Sequence, residues 1–456
     1  VQPRRAGDPP LGLILDRSGC HFDASYPCDL ENILRHDPLK DTDLLCRAEQ
    51  AIMRIRDNHI SKYNAFETTQ SPPAPGYVLV IDQTFGDAAL RASGAGKAEF
   101  KAMLAAARRE HPDANIIIKS HAETILGHRR GYFSAADATD TIRLLATPIS
   151  PWQLFDGAIA VYTISSQMGF EAILAGHTPH VFGQPFYAGW GLSKDRKPTT
   201  GRTRILSRAQ LFAAAMILYP IWYDPYRDRL CALEDVLDIL EAQSRAWRDD
   251  HRGWVACGIR LWKRPHLQSI FGRSKRIIFQ NNLAKAHHTS TRHQRNLMVW
   301  ASGHQDLAFP TTRIEDGFLR SRGLGATLTP PLSLVADRLG IYYDPRAPSQ
   351  LEQMIADTVT LRPDQKARAE RLRQQVIGAG LTKYNAGQTA AEITGTRRIL
   401  VPGQVEDDAS ILTAAGDIKT NLALLTAVRR ANPNAIILYK PHPDVEARLR
   451  LGAVPD

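Results

Sequence analysis

Cysteine is scarce and badly placed for chemistry: Cys20, Cys28, Cys46, Cys231 and Cys257 form neither a CxxC pair nor a Cys/His ligand pattern. An odd, scattered set of this kind argues against a disulfide framework and against a zinc site, and leaves reduced thiols. Long apolar runs are also missing. Nothing approaches the roughly 20 uninterrupted apolar residues of a membrane-spanning helix, and the chain opens at Val1 on a polar, Pro-containing run unlike a signal peptide. The cytoplasmic side is the expected location. No RNA- or DNA-binding motif accompanies the basic residues, so nucleic acid is not an expected partner.

What is present is a basic, globular composition. At about 150 residues per domain, 456 residues suggest three or so domains, and 43% apolar residues supply material for their cores. A net charge of +10 implies attraction to something anionic: an acidic membrane surface, or phosphate- and carboxylate-bearing substrates. The cations are spread along the chain with a modest concentration from Arg264 to Lys285.

Self-similarity organises the sequence. PLGLILDRSGCHFDASYPCDLEN (Pro10 to Asn32) returns as PLSLVADRLGIYYDPRAPSQLEQ (Pro331 to Gln353), with ten identities in 23 positions at an offset of 321. The same offset carries Lys62-Tyr63-Asn64 onto Lys383-Tyr384-Asn385, DQTFGDA (82–88) onto GQVEDDA (403–409), and KSH (119–121) onto KPH (440–442). Two homologous modules of about 320 residues in tandem follow, a period too long for a solenoid. Each module is a template for the other: module one starts just before PLGLI without an EDGFLRSRGLG segment, and module two stops soon after His442 without a FGQPFYAGWGL segment. The chain is therefore expected to be a fragment whose second nucleotide pocket is incomplete.

Within module one, YVLVID (77–82), IIIKS (116–120), GAIAVYTI (157–164) and PHVFG (179–183) alternate with helical patterns around 97–109 and 166–174. That predicts an α/β fold with parallel sheets. The expected division is a remnant acceptor-side domain (1–72), a donor-binding Rossmann-like domain (73–230), a helical connector (231–265), the acceptor-side domain of module two (266–394) and the start of its donor domain (395–456). RIIFQ (276–280) and NLMVWA (296–301) open the second module's α/β domain.

In open α/β sheets, ligands lie beyond the carboxyl ends of the strands. Three groups stand there: Asp82, Gln83 and Asp87 after VLVI; Lys119 and His121 after III; Ser165 and Ser166 after VYTI, opening the helix QMGFEAILAG. Two serines at a helix start offer hydroxyls and free N–H groups to a phosphate, and Lys119 with His121 can complete an anion site. The plainer alternative is that a serine only caps the helix and His121 is a loop residue. Glu171, a carboxylate in an apolar helix, needs a partner, which is either a ribose diol or a structural arginine. Gln83 and Asp87 persist as Gln404 and Asp408 although their neighbours changed, which marks the two aspartates as candidate reactive carboxylates. A turn or helix cap is the alternative. Glu315, Asp316 and Arg320 of EDGFLRS set two acids beside a Gly turn and a cation. With no paired-carboxylate DxD motif at the phosphate, no metal and no other cofactor is expected.

EDGFLRSRGLG, PPLSLVADRLGIYYDP, TKYN, VPGQVEDDASI and YKPHPDVE in module two, with VIDQTFGDA, ISSQMGFEAILAG and FGQPFYAGWGL in module one, resemble the KpsC family. These are dual-module retaining β-Kdo glycosyltransferases of Gram-negative capsule systems. The resemblance covers essentially the whole chain and implies tandem GT-B-like modules of Rossmann-like domains, with CMP-Kdo as donor. It further implies a Kdo-primed (lyso)phosphatidylglycerol acceptor, a poly-Kdo linker with alternating β-(2→4) and β-(2→7) linkages, and work beside the capsule biosynthesis and export complex at the anionic inner-membrane surface. On this pattern Asp87 and Asp408 are catalytic. Gln83, Lys119, His121, Ser165, Ser166, Glu171, Gln404, Lys440 and His442 bind the donor, and Glu315, Asp316 and Arg320 lie on the acceptor side. One departure stands out: the family's His-Pro is kept as His442-Pro443 but reads His121-Ala122 in module one, which leaves open weaker CMP binding or a degenerate first module. A non-catalytic scaffold of the capsule machinery is the alternative function.

Overall fold

A computed structural model describes residues 8–301, 307–386 and 397–455. The expected boundary between 394 and 395, and the first seven residues of the 1–72 segment, lie outside the described residues. The chain divides into two compact units, Val1–Arg248 and Asp249–Asp456.

In the first unit, strand β1 (Gly12–Leu13) and helices α1 (Asp29–His36) and α2 (Thr42–Asp57) precede an alternating series. That series is β2 (Tyr77–Ile81), α3 (Ala88–Ala92), α4 (Lys97–Glu110), β3 (Ile116–Lys119), α5 (Ala122–Ile125), β4 (Ile142–Leu145) and α6 (Pro151–Gly157). It continues through β5 (Ala158–Thr163), α7 (Gln167–Leu174), β6 (His180–Val181) and β7 (Lys194–Asp195). Helix α8 (Arg208–Phe212), strands β8 (Ile221–Asp224) and β9 (Arg229–Cys231), and helix α9 (Leu233–Asp250) follow.

The main sheet is wholly parallel with the order β4-β3-β2-β5-β6-β7. Counted from β2, that is the 3-2-1-4-5-6 order of a Rossmann sheet. Its two faces account for the composition of β2. Tyr77, Leu79 and Ile81 enter the core shared with α6 and α7, while Val78 and Val80 enter the core under α4 with Phe100 and Met103. A strand covered on both sides needs apolar residues at every position, which is why YVLVI shows no polar alternation. Helix α2 is tied to α9 by Arg54, buried and paired with Glu241 and Asp238.

A small antiparallel sheet, β1-β8-β9, stands apart. Its closest approach is at Gly12, where a Cβ would meet the Trp222 ring at 2.5 Å.

The second unit begins with β10 (Trp254–Cys257), a strand inside the stretch 231–265 read from the sequence as a helical connector. The amphipathic pattern there belongs to α9, and the four-residue apolar run WVAC after it is too short to announce itself beside an 18-residue helix. Then come α10 (Arg264–Phe271), β11 (Ile278–Gln280), α11 (Leu283–His293), β12 (Asn296–Trp300), β13 (Thr312–Asp316) and β14 (Leu334–Asp337). The order is β11-β10-β12-β13-β14, parallel except for β14. Helices α12 (Gln350–Asp357) and α13 (Pro363–Gly378) lead to a parallel pair, β15 (Arg398–Pro402) and β16 (Ile436–Lys440), with α14 (Ala409–Ala414), α15 (Asn421–Ala431) and α16 (Pro443–Glu446). This pair is the repeat mate of β2 and β3. By contrast β14, mate of β1, takes a different partner: it pairs with β13, where β1 pairs with β8.

Candidate functional site

The strand order reverses between β2 and β5, the switch point at whose carboxyl ends open α/β sheets bind ligands in a crevice. Gln83, one residue past Asp82 at the end of β2, bridges it. Its Nε2 donates to Ser165 Oγ at 3.2 Å and its Oε1 accepts from the Ser165 N–H at 2.9 Å. Ser166 caps α7, accepting from the Met168 N–H at 3.3 Å, and Tyr187 Oη donates to the Ser166 carbonyl at 2.7 Å. The capping role is thus real. The N–H groups expected to be free at the two serines are engaged: that of Ser165 by Gln83 and that of Ser166 by Thr163 Oγ1 at 3.3 Å.

Gly169 on the first turn of α7 is needed for this fit, because a Cβ there would lie 2.2 Å from Tyr187 Oη. The aromatic loop GQPFYAGWG therefore supports the helix start: Tyr187 and Trp190 are fully buried.

Lys119, last residue of β3, is buried, and its Nζ donates to the Ser120 carbonyl at 3.2 Å. Burial of an ammonium without a counter-ion lowers its pKa to about 8. His121 caps α5, its Nδ1 accepting from the Glu123 N–H at 3.2 Å. A neutral imidazole that accepts at Nδ1 carries its proton on Nε2, so Nε2–H is left to donate. Burial, the largest influence, keeps the ring neutral by lowering its pKa, and the Asp87 charge opposes this.

The change from His-Pro to His121-Ala122 leaves the cap geometry the same. His442 has the same bond, from the Asp444 N–H to Nδ1 at 3.2 Å, and φ/ψ of −66°/136° against −67°/147° for His121. Pro443 occupies the first helical position, where its missing N–H has no intrahelical partner to lose, so alanine substitutes without moving the imidazole.

Asp87 and Asp408 occupy matching positions. Asp87 caps α3 through Oδ1, which accepts from the Ala89 N–H at 2.8 Å, and Asp408 caps α14 through Oδ1 from the Ser410 N–H at 3.0 Å. Each cap fixes one carboxylate oxygen and leaves the other unengaged. Asp408 acts electrostatically on His442 as Asp87 does on His121. In the second unit, Gln404 and Lys440 are exposed.

Glu171 lies in α7 and is buried. Its Oε1 accepts from Ser61 Oγ at 2.8 Å and from the Lys62 N–H at 3.2 Å, while Oε2 is buried without a partner. The expected arginine is not its partner; the segment 61–64 holds Oε1. Burial raises its pKa to about 7. Because the folded value lies above the usual carboxylate value, the cost of the charge is absent at acidic pH, grows as pH rises through about 4.5, and is complete above about 7. Glu171→Gln is therefore expected to raise the melting temperature, by several degrees at pH 8 and less at pH 5.5. Calorimetry at the two pH values checks this, and an equal gain at both would contradict a buried, ionised Glu171. Asp82 is similar: Oδ1 accepts from the Gln83 and Tyr132 N–H groups, Oδ2 is unpartnered, and burial raises the pKa to about 6.

Of the second unit's EDGFLRS residues, Arg320 is buried and committed, donating to Asp316 Oδ2 at 2.7 Å, Ser321 Oγ and the Thr329 carbonyl. It holds Asp316 in place. Glu315, whose pKa is raised by burial, and Asp316 share their field with Lys263, whose ammonium sits 3.1 Å over the Trp300 ring and whose pKa falls to about 8 by burial. Tyr342 and Tyr343 feel both Glu315 and Asp408, so the acids and the donor-side aspartate flank the same tyrosines.

Residues missed as site candidates are Lys62 and Tyr63 with their mates. The Tyr63 ring meets His121 edge-on at 5.5 Å, and Tyr384 meets His442 edge-on at 6.0 Å. Their recurrence as KYN was the available signal. Among the described residues, no group of three or more His, Cys, Asp or Glu is placed to hold a metal ion, and no helix is long and apolar enough to cross a membrane.

Fold and crevice together define a class: an α/β protein built from repeated modules, with a Rossmann-type sheet whose switch point carries a lysine, an imidazole donor and a helix start suited to an anionic ligand. Within that class, the chain belongs to the capsule polysaccharide biosynthesis protein family, whose model matches residues 42–221, 288–393 and 382–454. It is 38% identical over 472 residues to the capsule polysaccharide modification protein LipA of Neisseria meningitidis serogroup B (strain ATCC BAA-335 / MC58), covering 98% of this chain and 67% of that protein. The lipopolysaccharide-processing protein LpsZ of Rhizobium meliloti is 35% identical over 216 residues, 46% of this chain and 49% of that one. Among solved structures, the β-Kdo 2,4 transferase of Thermosulfurimonas dismutans KpsC aligns with a TM-score of 0.49 at 38% identity, over 52% of this chain and 74% of that one. The β-Kdo 2,7 transferase of the same KpsC aligns at 0.42 and 25% identity, over 51% and 72%.

Proposed function

We propose that the first module is a retaining glycosyltransferase that uses CMP-Kdo, and that the whole protein extends a poly-Kdo linker on a Kdo-primed (lyso)phosphatidylglycerol. What supports this reading is the switch point, where Gln83 after β2 bonds Ser165 at the start of α7, Lys119 and His121 follow β3, and Asp87 keeps one carboxylate oxygen outside its cap. The motif resemblance supplies the identity of the sugar and acceptor.

In the proposed chemistry, the free Asp87 oxygen attacks the anomeric carbon, the bond to the phosphate oxygen breaks, and its electron pair departs on CMP. The acceptor hydroxyl then attacks the same carbon, loses its proton to a base, and releases Asp87. Two inversions give retention. Lys119 and His121 stabilise the charge on the leaving phosphate, the task a metal performs in other transferases. In the second module, Asp408 takes the role of Asp87. Alternating β-(2→4) and β-(2→7) linkages follow from assigning one linkage to each module.

The basic charge suits reversible attachment to an anionic inner-membrane surface beside the capsule export machinery, at about 1 kcal/mol per basic residue near the leaflet. One experiment covers these points: the full-length protein with CMP-Kdo, with and without Kdo-primed lysophosphatidylglycerol in anionic vesicles. Acceptor-dependent CMP release is expected, unchanged by EDTA, with the protein leaving the vesicles at high salt. Absence of CMP release would favour the scaffold function; restoration of activity by magnesium after EDTA would refute the metal-free chemistry.

A further inference from the structure

We propose that Lys62, and Lys383 in the second module, receives the carboxylate of the sugar donor, separately from the cations that receive its phosphate. The inference rests on the donor being a CMP-linked 2-keto sugar acid.

Lys62 reaches over Tyr63, with Nζ 5.4 Å from the ring centroid, and Tyr63 in turn meets His121 edge-on. The ammonium is exposed, has no carboxylate partner among the described residues, and acts electrostatically on His21, His121 and Glu171. It therefore borders the crevice as an uncommitted cation. The second unit repeats the arrangement, with Lys383 Nζ 5.3 Å from the Tyr384 centroid and Tyr384 edge-on to His442.

In the first unit the Lys62 N–H is held by Glu171 and the turn is closed by Asn64 bonding the Ser61 N–H and carbonyl, both at 2.9 Å. In the second, the Lys383 carbonyl accepts from the Arg320 and Ser321 N–H groups, and Asn385 Nδ2 donates to the Ser321 carbonyl at 3.0 Å. The turn itself is kept, for the Thr382 N–H bonds Asn385 Oδ1 at 2.9 Å as the Ser61 N–H bonds Asn64 Oδ1, and it presents the same Lys–Tyr–His side-chain arrangement in both units.

The chemistry calls for such a cation. The anomeric carbon of a 2-keto sugar acid bears a carboxylate as well as the phosphodiester, and attack by Asp87 brings a third anion to that centre. Lys119 and His121 meet the phosphate from the end of β3; a second positive charge on the sugar side offsets the repulsion between the incoming and resident carboxylates. Lys62 is thereby a specificity-determining residue for acidic donors, and its exposure and flexible stem let it stay hydrated until the sugar arrives.

The test compares the 456-residue chain with Lys62→Met and Lys62→Arg by equilibrium titration with CMP and with CMP-Kdo. Lys62→Met should bind CMP-Kdo at least tenfold more weakly and CMP within twofold of the unsubstituted chain, whereas Lys62→Arg should keep most of the CMP-Kdo affinity. Unchanged CMP binding also certifies that the variant is folded. Equal weakening toward both ligands would make Lys62 a phosphate ligand and overturn the proposal, as would no change toward either. If the unsubstituted chain bound neither ligand, the donor reading itself would fall.

Discussion

Asp87→Asn is expected to lower transfer by the first module about a thousandfold or more, with the fold intact. Asparagine caps a helix nearly as well as aspartate, so the bond to the Ala89 N–H survives and only the nucleophilic oxygen is lost. Asp87→Ala should show the same loss of activity together with about 1 kcal/mol of lost stability from the missing cap. This pairing separates chemistry from capping, which a single substitution would confuse. Mass spectrometry of the first module incubated with CMP-Kdo and no acceptor should find one Kdo mass on a peptide containing Asp87, absent in Asp87→Asn. Full activity in Asp87→Asn would exclude Asp87 both as nucleophile and as base.

Lys119→Met is expected to have a comparable reach, cutting kcat/KM for the donor by about a hundredfold to a thousandfold while stabilising the unliganded chain. A buried ammonium with only the Ser120 carbonyl beside it is held at a cost on the order of 3 kcal/mol, taken from its displacement to about 8. The sign follows from proton binding. The folded chain holds this proton less tightly than the unfolded one, so the cost is complete below about pH 8 and disappears as pH rises toward the ordinary lysine value. The stability advantage of Lys119→Met over the natural residue should therefore be largest near pH 7 and shrink at pH 9.5. The donor KM of the unsubstituted protein should climb above pH 8 as the charge is lost, and that climb should be missing in the variant. A pH-independent stability difference would show that the ammonium is better solvated than its position implies.

Much of this crevice was legible before any coordinates. Asp82, Gln83, Lys119, Ser165 and Ser166 could be found because each immediately follows an apolar run, and a run covered on both faces is the strongest local signal a strand gives. Asp87 was legible for a different reason, its persistence at a constant offset while its neighbours drifted. Two-residue strands such as His180–Val181 and Lys194–Asp195 carry little pattern of their own and are defined by the sheet they join. Lys62 and Tyr63 sit in a loop ahead of β2, so nothing local ties them to His121, 58 or more residues away. Glu171 was correctly seen as a carboxylate in need of a partner. That partner, the Ser61–Lys62 backbone and hydroxyl, comes from a region with no periodicity to read.

The close contact at Gly12 sets a narrow tolerance for the small sheet. A Cβ at residue 12 would lie 2.5 Å from the Trp222 ring and 3.1 Å from the Ile221 carbonyl, so even Gly12→Ala must displace the indole or part β1 from β8. Position 12 is thereby closed to sequence drift, while Leu13 and Leu15 close by are exposed and free to vary.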